Sequence, residues 1–367
     1  MNGRAAIYHG PEQPFELREF PLPPVEPDAI LVQVTMAGIC GSDLHIWRGE
    51  LPGRFHLPAG HEMTGRVYKL GDNIRTDSLG QPLREGDRIA YAYFYPCRRC
   101  YVCLRGELAA CPNQTPAVQL GALPYFTGAF ADYYYLRPGH WVYRVPDDVP
   151  DELAAPVNCA LSQVMFGLHK AGVRLGDTVV LQGAGGLGLN AAAVAREMGA
   201  QKVIAIDGVA GRLDLARQFG VDDTININEL ASAEQRIAAV RDLTDGRGAD
   251  IVCDFVGFPA VIPEGIEMLR NGGTYLEVGT ISTGASVTIE PARLVFPSKK
   301  IIGIYHYDPW TIPTALQFLQ RTQARYPFSR IVSHKYPLAQ IDQAFAEAEW
   351  LNRAGSPTAV TRAVIAW

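Results

Sequence analysis

Four cysteines crowd into fifteen residues, as Cys97-x2-Cys100-x2-Cys103-x7-Cys111. Four thiolates close a tetrahedral zinc shell and leave no corner for substrate, so a centre of this kind is structural. The surrounding lobe, YPCRRCYVCLRGELAACP, has little apolar material with which to fold unaided. Arg98, Arg99 and Arg105 can offset the negative charge of a four-thiolate ion. Disulfides and an iron–sulfur cluster are the alternatives. A ferredoxin run shares the first two gaps but spaces its fourth cysteine differently. Clustered thiols in a reducing compartment point to metal before disulfides.

A second chemical signature is Gly183-Ala184-Gly185-Gly186-Leu187-Gly188, a G-x-G-x-x-G run between a strand pattern and a helix pattern. Gly183 permits the tight turn, Gly185 lets a pyrophosphate approach the backbone, and Gly188 lets helix and strand pack closely. The helix N-terminus offers N–H groups and the positive end of its dipole to phosphates. Asp207 ends the next strand pattern. A carboxylate there accepts from the adenosine ribose hydroxyls and repels a 2′-phosphate, which favours NAD over NADP. Arg212, close by in sequence, leaves some NADP tolerance open.

The 367 residues are 48% apolar and 19% charged, enough to build cores and to exclude general disorder. Lys and Arg number 33 against 38 Asp and Glu, a net charge of −5 that argues against a nucleic-acid binder. No run approaches ~18 uninterrupted apolar residues, so no membrane span is expected. Met1–Gly10 lacks an apolar signal core, so the expected location is the cytoplasm.

Two textures divide the chain. Residues 1–160 are rich in Pro, Gly and short alternating runs such as AILVQVTMAGIC and MTGRVYKLGDNI, the pattern of a β-rich domain. Residues 161–304 alternate short apolar runs with helical patterns, from DTVVLQG and GLNAAAVAREMGA to ADIVCDFVG and GTYLEVG. That alternation predicts a doubly wound parallel sheet, so the fold class is α/β. The doubly wound unit is complete before residue 305, so 305–367 is expected to rejoin the first domain. GTYLEVGTISTGASVTI is a candidate interface strand, and Cys253 a packing residue.

Three further candidates lie far apart: Cys40 at a strand end, His61 at a strand start, and Cys159 where the texture changes. Two thiolates and an imidazole would leave a fourth zinc position open, as catalytic zinc requires. Spacing alone does not bring these three together.

The segments CGSDLHIWRG, AGHEMTGRV and EGDRIA, the four-cysteine lobe, the G-x-G-x-x-G unit and Asp207 follow one another in an order that resembles the zinc-dependent medium-chain alcohol dehydrogenases. The resemblance covers essentially the whole chain. It implies a β-rich GroES-like catalytic domain and a Rossmann domain. It implies two zinc ions per chain, one structural and one catalytic, the latter on Cys40, His61 and Cys159, with Glu62 or water as the alternative third ligand. Glu62 lies beside the ion in this family, and Asp43 matches the carboxylate that orients the zinc-bound imidazole.

The resemblance further implies reversible NAD-dependent oxidation of an alcohol, with a proton relay that runs from Ser42 through the nicotinamide ribose to His45 and ends in solvent. A polyol or amino-alcohol dehydrogenase is the runner-up, and a non-catalytic dinucleotide-binding homologue a distant third. Trp47, Phe94, Tyr125, Phe126 and His306 are candidates for an aromatic pocket, which would suit a bulky or cyclic secondary alcohol. Relatives form dimers or tetramers, so a homo-oligomer is expected, with no nucleic-acid or membrane partner.

Overall fold

A computed structural model describes residues 1–11, 13–51, 55–114, 123–349 and 360–367. The chain divides into two compact units. One comprises Met1–Ser162, Asp308–Gln323 and Phe328–Trp367, and the other Gln163–Tyr307 with Ala324–Pro327.

The first unit is built on a mixed sheet. Its strands run in the order His334–Tyr336, Ala363–Ala366, Ile30–Gly38, Glu62–Leu70, Arg88–Tyr91 and Val142–Arg144, and Tyr133–Leu136 also pairs with Ile30–Gly38. The two long central strands pair antiparallel, setting Gly38 opposite Glu62. That register brings the end of one strand, leading to Cys40, beside the start of the other, following His61. Ile30, Val32, Met63, Ile89, Tyr91, Phe130, Phe345 and Ile365 form the core beneath the sheet. A smaller sheet of Glu16–Pro21, Asn2–Tyr8 and Leu57–Pro58 packs through Phe20 and Ile7.

The second unit holds six parallel strands in the order Asp223–Asn226, Lys202–Asp207, Thr178–Gln182, Ala249–Asp254, Leu269–Glu277 and Lys300–Gly303. In chain order this is 3-2-1-4-5-6, the doubly wound arrangement whose winding reverses beside the first strand. The central strand Thr178–Gln182 is buried throughout because helices cover both faces of such a sheet. Helix Gly186–Glu197 is Ala-rich and buries most of its residues. Helix Ala233–Asp242 opens on a capping box in which the Gln235 amide donates to Ser232 Oγ at 3.2 Å. Helix Ala210–Gln218 is followed by Gly220 at φ +90°, a left-handed position suited to glycine.

The segment offered as an interface strand begins inside the sheet: Leu269–Glu277 is paired on both sides. The edge strand on that side of the sheet is Lys300–Gly303, which lies after that segment, and Asp223–Asn226 is the other edge. Cys253 is fully buried within its strand, as a packing residue would be. Among the described residues no helix is long and apolar enough to cross a membrane.

Candidate active site

Cys40, His61 and Cys159 meet in the first unit. Cys40 directly precedes the short helix Gly41–Trp47, His61 precedes the strand Glu62–Leu70, and Cys159 follows the turn Ala155–Asn158. Asn158, fully buried, ties the last two segments together. Its Oδ1 accepts from the Met63 amide at 3.1 Å and its Nδ2 donates to the His61 carbonyl at 3.3 Å.

The sulfurs of Cys40 and Cys159 are 3.8 Å apart, and Cys159 Sγ is 3.3 Å from His61 Nε2. Tetrahedral zinc with ordinary Zn–S and Zn–N bonds requires about 3.8 Å between sulfurs and about 3.6 Å from sulfur to nitrogen. The three ligand atoms therefore fit the ion. Asp43 fixes two of the three ligands. Its Oδ2 accepts from the Cys40 amide at 2.8 Å, and its Oδ1 lies 3.0 Å from His61 Nδ1. A carboxylate only accepts, so Nδ1 carries the proton and Nε2 presents its lone pair to the sulfurs.

Burial pushes His61 down, but the charge and hydrogen bond of Asp43 outweigh it and leave the imidazole well above its ordinary range. The shared hydrogen bond with Cys159 draws Cys40 well below the usual thiol range against the effect of burial, and the same bond drives Cys159 up.

Glu62 is fully buried beside these ligands. Its Oε2 accepts from Arg362 Nη2 at 2.5 Å, while Oε1 has no partner. Burial raises its carboxyl to about 7, with Arg362 pulling the other way. Ser42 Oγ lies 3.3 Å from His61 Nε2, within reach of an atom held at the ligand cluster.

His45 departs from expectation. A relay ending in solvent needs an exposed ring, but His45 is 5% exposed and its Nδ1 contacts the Glu50 carboxylate. Arg48 Nη2 stands 3.1 Å from the same nitrogen.

The four cysteines of the lobe also converge, all ligand atoms lying within 4.8 Å of one another and the sulfurs of Cys100 and Cys111 3.9 Å apart. The Arg99 amide helps lower Cys97 to about 6, whereas burial pushes Cys103 up to about 12. Arg98 does not stack against the sulfurs; its guanidinium lies 4.0 Å over the Trp141 ring.

In the second unit, Gly183 has φ +102°, and a Cβ on Gly188 would collide with the Gly183 carbonyl, so both positions require glycine. A Cβ on Gly185 would meet nothing within 4 Å, which leaves open space above the N-terminus of Gly186–Glu197. The site fits a pyrophosphate. Gly186 and Leu187 form the first turn of that helix. Asp207 accepts from the Ala184 and Val209 amides, each at 2.8 Å, and so joins the glycine turn to the end of its strand. Arg212 sits in the first turn of the next helix, half-buried.

Residues 26–147 match the alcohol dehydrogenase GroES-like domain, and residues 186–321 match the zinc-binding dehydrogenase domain. The chain is 34% identical over 331 residues to 5-exo-hydroxycamphor dehydrogenase of Pseudomonas putida, covering 90% of this chain and 91% of that one. This protein belongs to the zinc-dependent medium-chain dehydrogenase/reductase superfamily. Within that superfamily it is 31% identical to erythritol/L-threitol dehydrogenase of Mycolicibacterium smegmatis, covering 93% of this chain and 92% of the relative. The solved alcohol dehydrogenase of Thermotoga maritima superposes with a TM-score of 0.91 at 29% identity, over 100% of this chain and 99% of that one. The chain is an alcohol dehydrogenase, and its family binds zinc.

The expected aromatic pocket fares less well. Tyr125 stacks on Phe20 at 5.0 Å, and Phe126, fully buried, meets Phe20 edge-on, so both pack under the N-terminal sheet. Trp47 packs against Phe345 in the core. Phe94 is buried edge-on to Tyr93, and His306 is buried against Tyr305. Tyr93, which the sequence did not distinguish from its neighbour, is the aromatic ring beside the ligands, 5.0 Å from the His61 ring and half-buried.

Proposed function

We propose that the protein catalyses the reversible NAD-dependent oxidation of a secondary alcohol, bulky or cyclic, at zinc held by Cys40, His61 and Cys159. The observation that carries this reading is the tetrahedral spacing of those three ligand atoms, with Ser42 Oγ 3.3 Å from His61 Nε2. Bound zinc would supply a Lewis acid for the substrate oxygen, and NAD a hydride acceptor.

The chain's own residues do the rest. Asp43 holds His61 in the metal-binding tautomer. Arg362 engages Glu62, so Cys159 rather than Glu62 would serve as the third ligand of a bound zinc ion. Ser42 can both donate and accept, so it can take the substrate's hydroxyl proton as it passes on its own, and His45 would receive it by way of the nicotinamide ribose of bound NAD. Asp207, at the end of its strand, would accept from ribose hydroxyls and repel a 2′-phosphate, which supports NAD over NADP. Cys97, Cys100, Cys103 and Cys111 would hold the second, structural ion, and the convergence of their sulfurs supports this.

A bulky secondary alcohol is supported by Tyr93 beside the ligands and by similarity to a dehydrogenase whose named substrate is a bicyclic secondary alcohol. The erythritol/L-threitol relative favours a second reading, oxidation of a polyol. Homo-oligomerisation is supported by the exposed edge strand Lys300–Gly303, next to Val295 and Phe296 at 70% and 87% exposure. Seven unpaired cysteines support a reducing, cytoplasmic setting.

The test is a substrate panel of cyclic secondary alcohols, linear polyols and threonine with NAD and NADP, run on the native protein and on Ser42→Ala. The reading expects cyclic secondary alcohols with NAD to give the highest kcat/KM, and Ser42→Ala to lose about 100-fold with zinc retained. Highest kcat/KM on polyols would establish the second reading. Undiminished hydride transfer in Ser42→Ala would remove Ser42 from the relay.

A further inference from the structure

A proton relay must end in water, and the His45 ring does not reach it. The side chain of His45 is 7% exposed, whereas that of Glu50, in contact with His45 Nδ1, is 33% exposed. Two residues on, Arg48 grips Glu50 through Nε–Oε1 at 2.7 Å and Nη2–Oε2 at 3.4 Å. Arg48 is itself buried, and its Nη1 donates to both oxygens of Glu349 at 3.0 and 2.8 Å. Arg48, bonded to both acids, thereby holds the Glu50 carboxylate beside His45.

We propose that Glu50 is the terminal proton acceptor of the relay, that it passes the proton from His45 to water, and that Arg48, anchored by Glu349, positions it. This rests on the proposed relay through Ser42 and His45. A proton arriving at His45 Nε2 is matched by loss of the Nδ1 proton to Glu50 Oε2, and Glu50 then releases a proton to solvent. In carbonyl reduction the same bonds form and break in reverse.

The contacts at Nδ1 satisfy both states. While Nδ1 carries a proton it donates to the Glu50 carboxylate. Once the proton has moved to Glu50, Nδ1 is a bare acceptor, and Arg48 Nη2, 3.1 Å away, supplies the donor. Neither state leaves that buried nitrogen unpartnered, so the transfer has no desolvation penalty at the ring.

The experiment measures the single-turnover rate of NADH formation, and its solvent isotope effect, in the native zinc-loaded enzyme and in Glu50→Gln, Glu50→Ala, Glu50→Asp and Ser42→Ala. Glu50→Gln is expected to slow the reaction by about tenfold or more with zinc content and NAD affinity unchanged. Glu50→Asp is expected to keep most of the rate, and formate to restore Glu50→Ala. A native rate and native isotope effect in Glu50→Gln would overturn the proposal. So would a slow Glu50→Ala that formate does not rescue, because that is the behaviour of a structural role. If Glu50→Gln does not fold, Glu50→Asp and formate rescue of Glu50→Ala decide the matter. A slow Ser42→Ala beside a native Glu50→Gln rejects the exit alone, whereas a native Ser42→Ala rejects the relay on which it depends.

Discussion

Asp43 accepts from the Cys40 amide with one oxygen and faces His61 Nδ1 at 3.0 Å with the other. One carboxylate therefore fixes both the position of a sulfur ligand and the tautomer of a nitrogen ligand. Asp43→Asn keeps the size of the side chain but can no longer accept at both oxygens. Its amide nitrogen would face either the Cys40 N–H or the His61 N–H. Zinc affinity at the Cys40 site is expected to fall about 10- to 100-fold, measured by competition with a chromogenic chelator. Native affinity in this variant would show that Asp43 does not orient the ligands.

Asp207 accepts from the Ala184 and Val209 amides as well as having the proposed role at the ribose. Truncation to Ala would loosen the glycine turn, so Asp207→Asn is the cleaner probe of charge. Loss of a charge-assisted bond is worth about 1.5–3 kcal/mol, or about tenfold or more in Kd for NAD. The ratio of NADP to NAD affinity should rise. Titration calorimetry with both cofactors checks this, and an unchanged ratio would remove Asp207 from cofactor selection.

Removing the lobe's ion separates the two metal sites. Cys103→Ser should reduce zinc from two ions per chain to one and lower the thermal midpoint, because the lobe has few apolar contacts of its own. Residual turnover per folded molecule should persist. Elemental analysis alongside calorimetry distinguishes this from loss of the catalytic ion, which would abolish turnover without emptying the lobe.

The pair Asp254 and Glu277 predicts a pH effect in the nucleotide unit. Burial first, then the charge of Asp254, raises Glu277 from 4.5 to about 8. Between those values the folded state binds a proton that the unfolded state has lost, so stability falls as pH rises through that window. Glu277→Gln should flatten that decline and be relatively more stable at pH 9 than at pH 6, judged against the native thermal midpoint at each pH. Parallel pH profiles for the two proteins would contradict the assignment.

The sequence exposed the local features and hid the long-range ones. Gly183, Gly185 and Gly188 could be placed because their roles depend on a strand and helix adjacent in the chain. The lobe could be placed because its four thiols lie within one turn-rich segment. Cys40, His61 and Cys159 came together only through family resemblance, since their meeting depends on the antiparallel register of two strands. Arg362 and Glu349 carried no readable signal: each pairs across about 300 residues of chain, with Glu62 and Arg48 respectively. Tyr125 and Phe126 misled for the same reason. Proximity in sequence to the lobe said nothing about the N-terminal sheet that covers them.

The central claim is that Cys40, His61 and Cys159 hold the zinc on which alcohol oxidation depends. Zinc counted per chain by elemental analysis, with turnover measured on the same samples of native protein and Cys159→Ser, tests it most directly. Two ions and NAD-linked turnover are expected in the native protein, and a single ion in the lobe with turnover lost in Cys159→Ser. Two tightly held ions with native turnover in Cys159→Ser would contradict it.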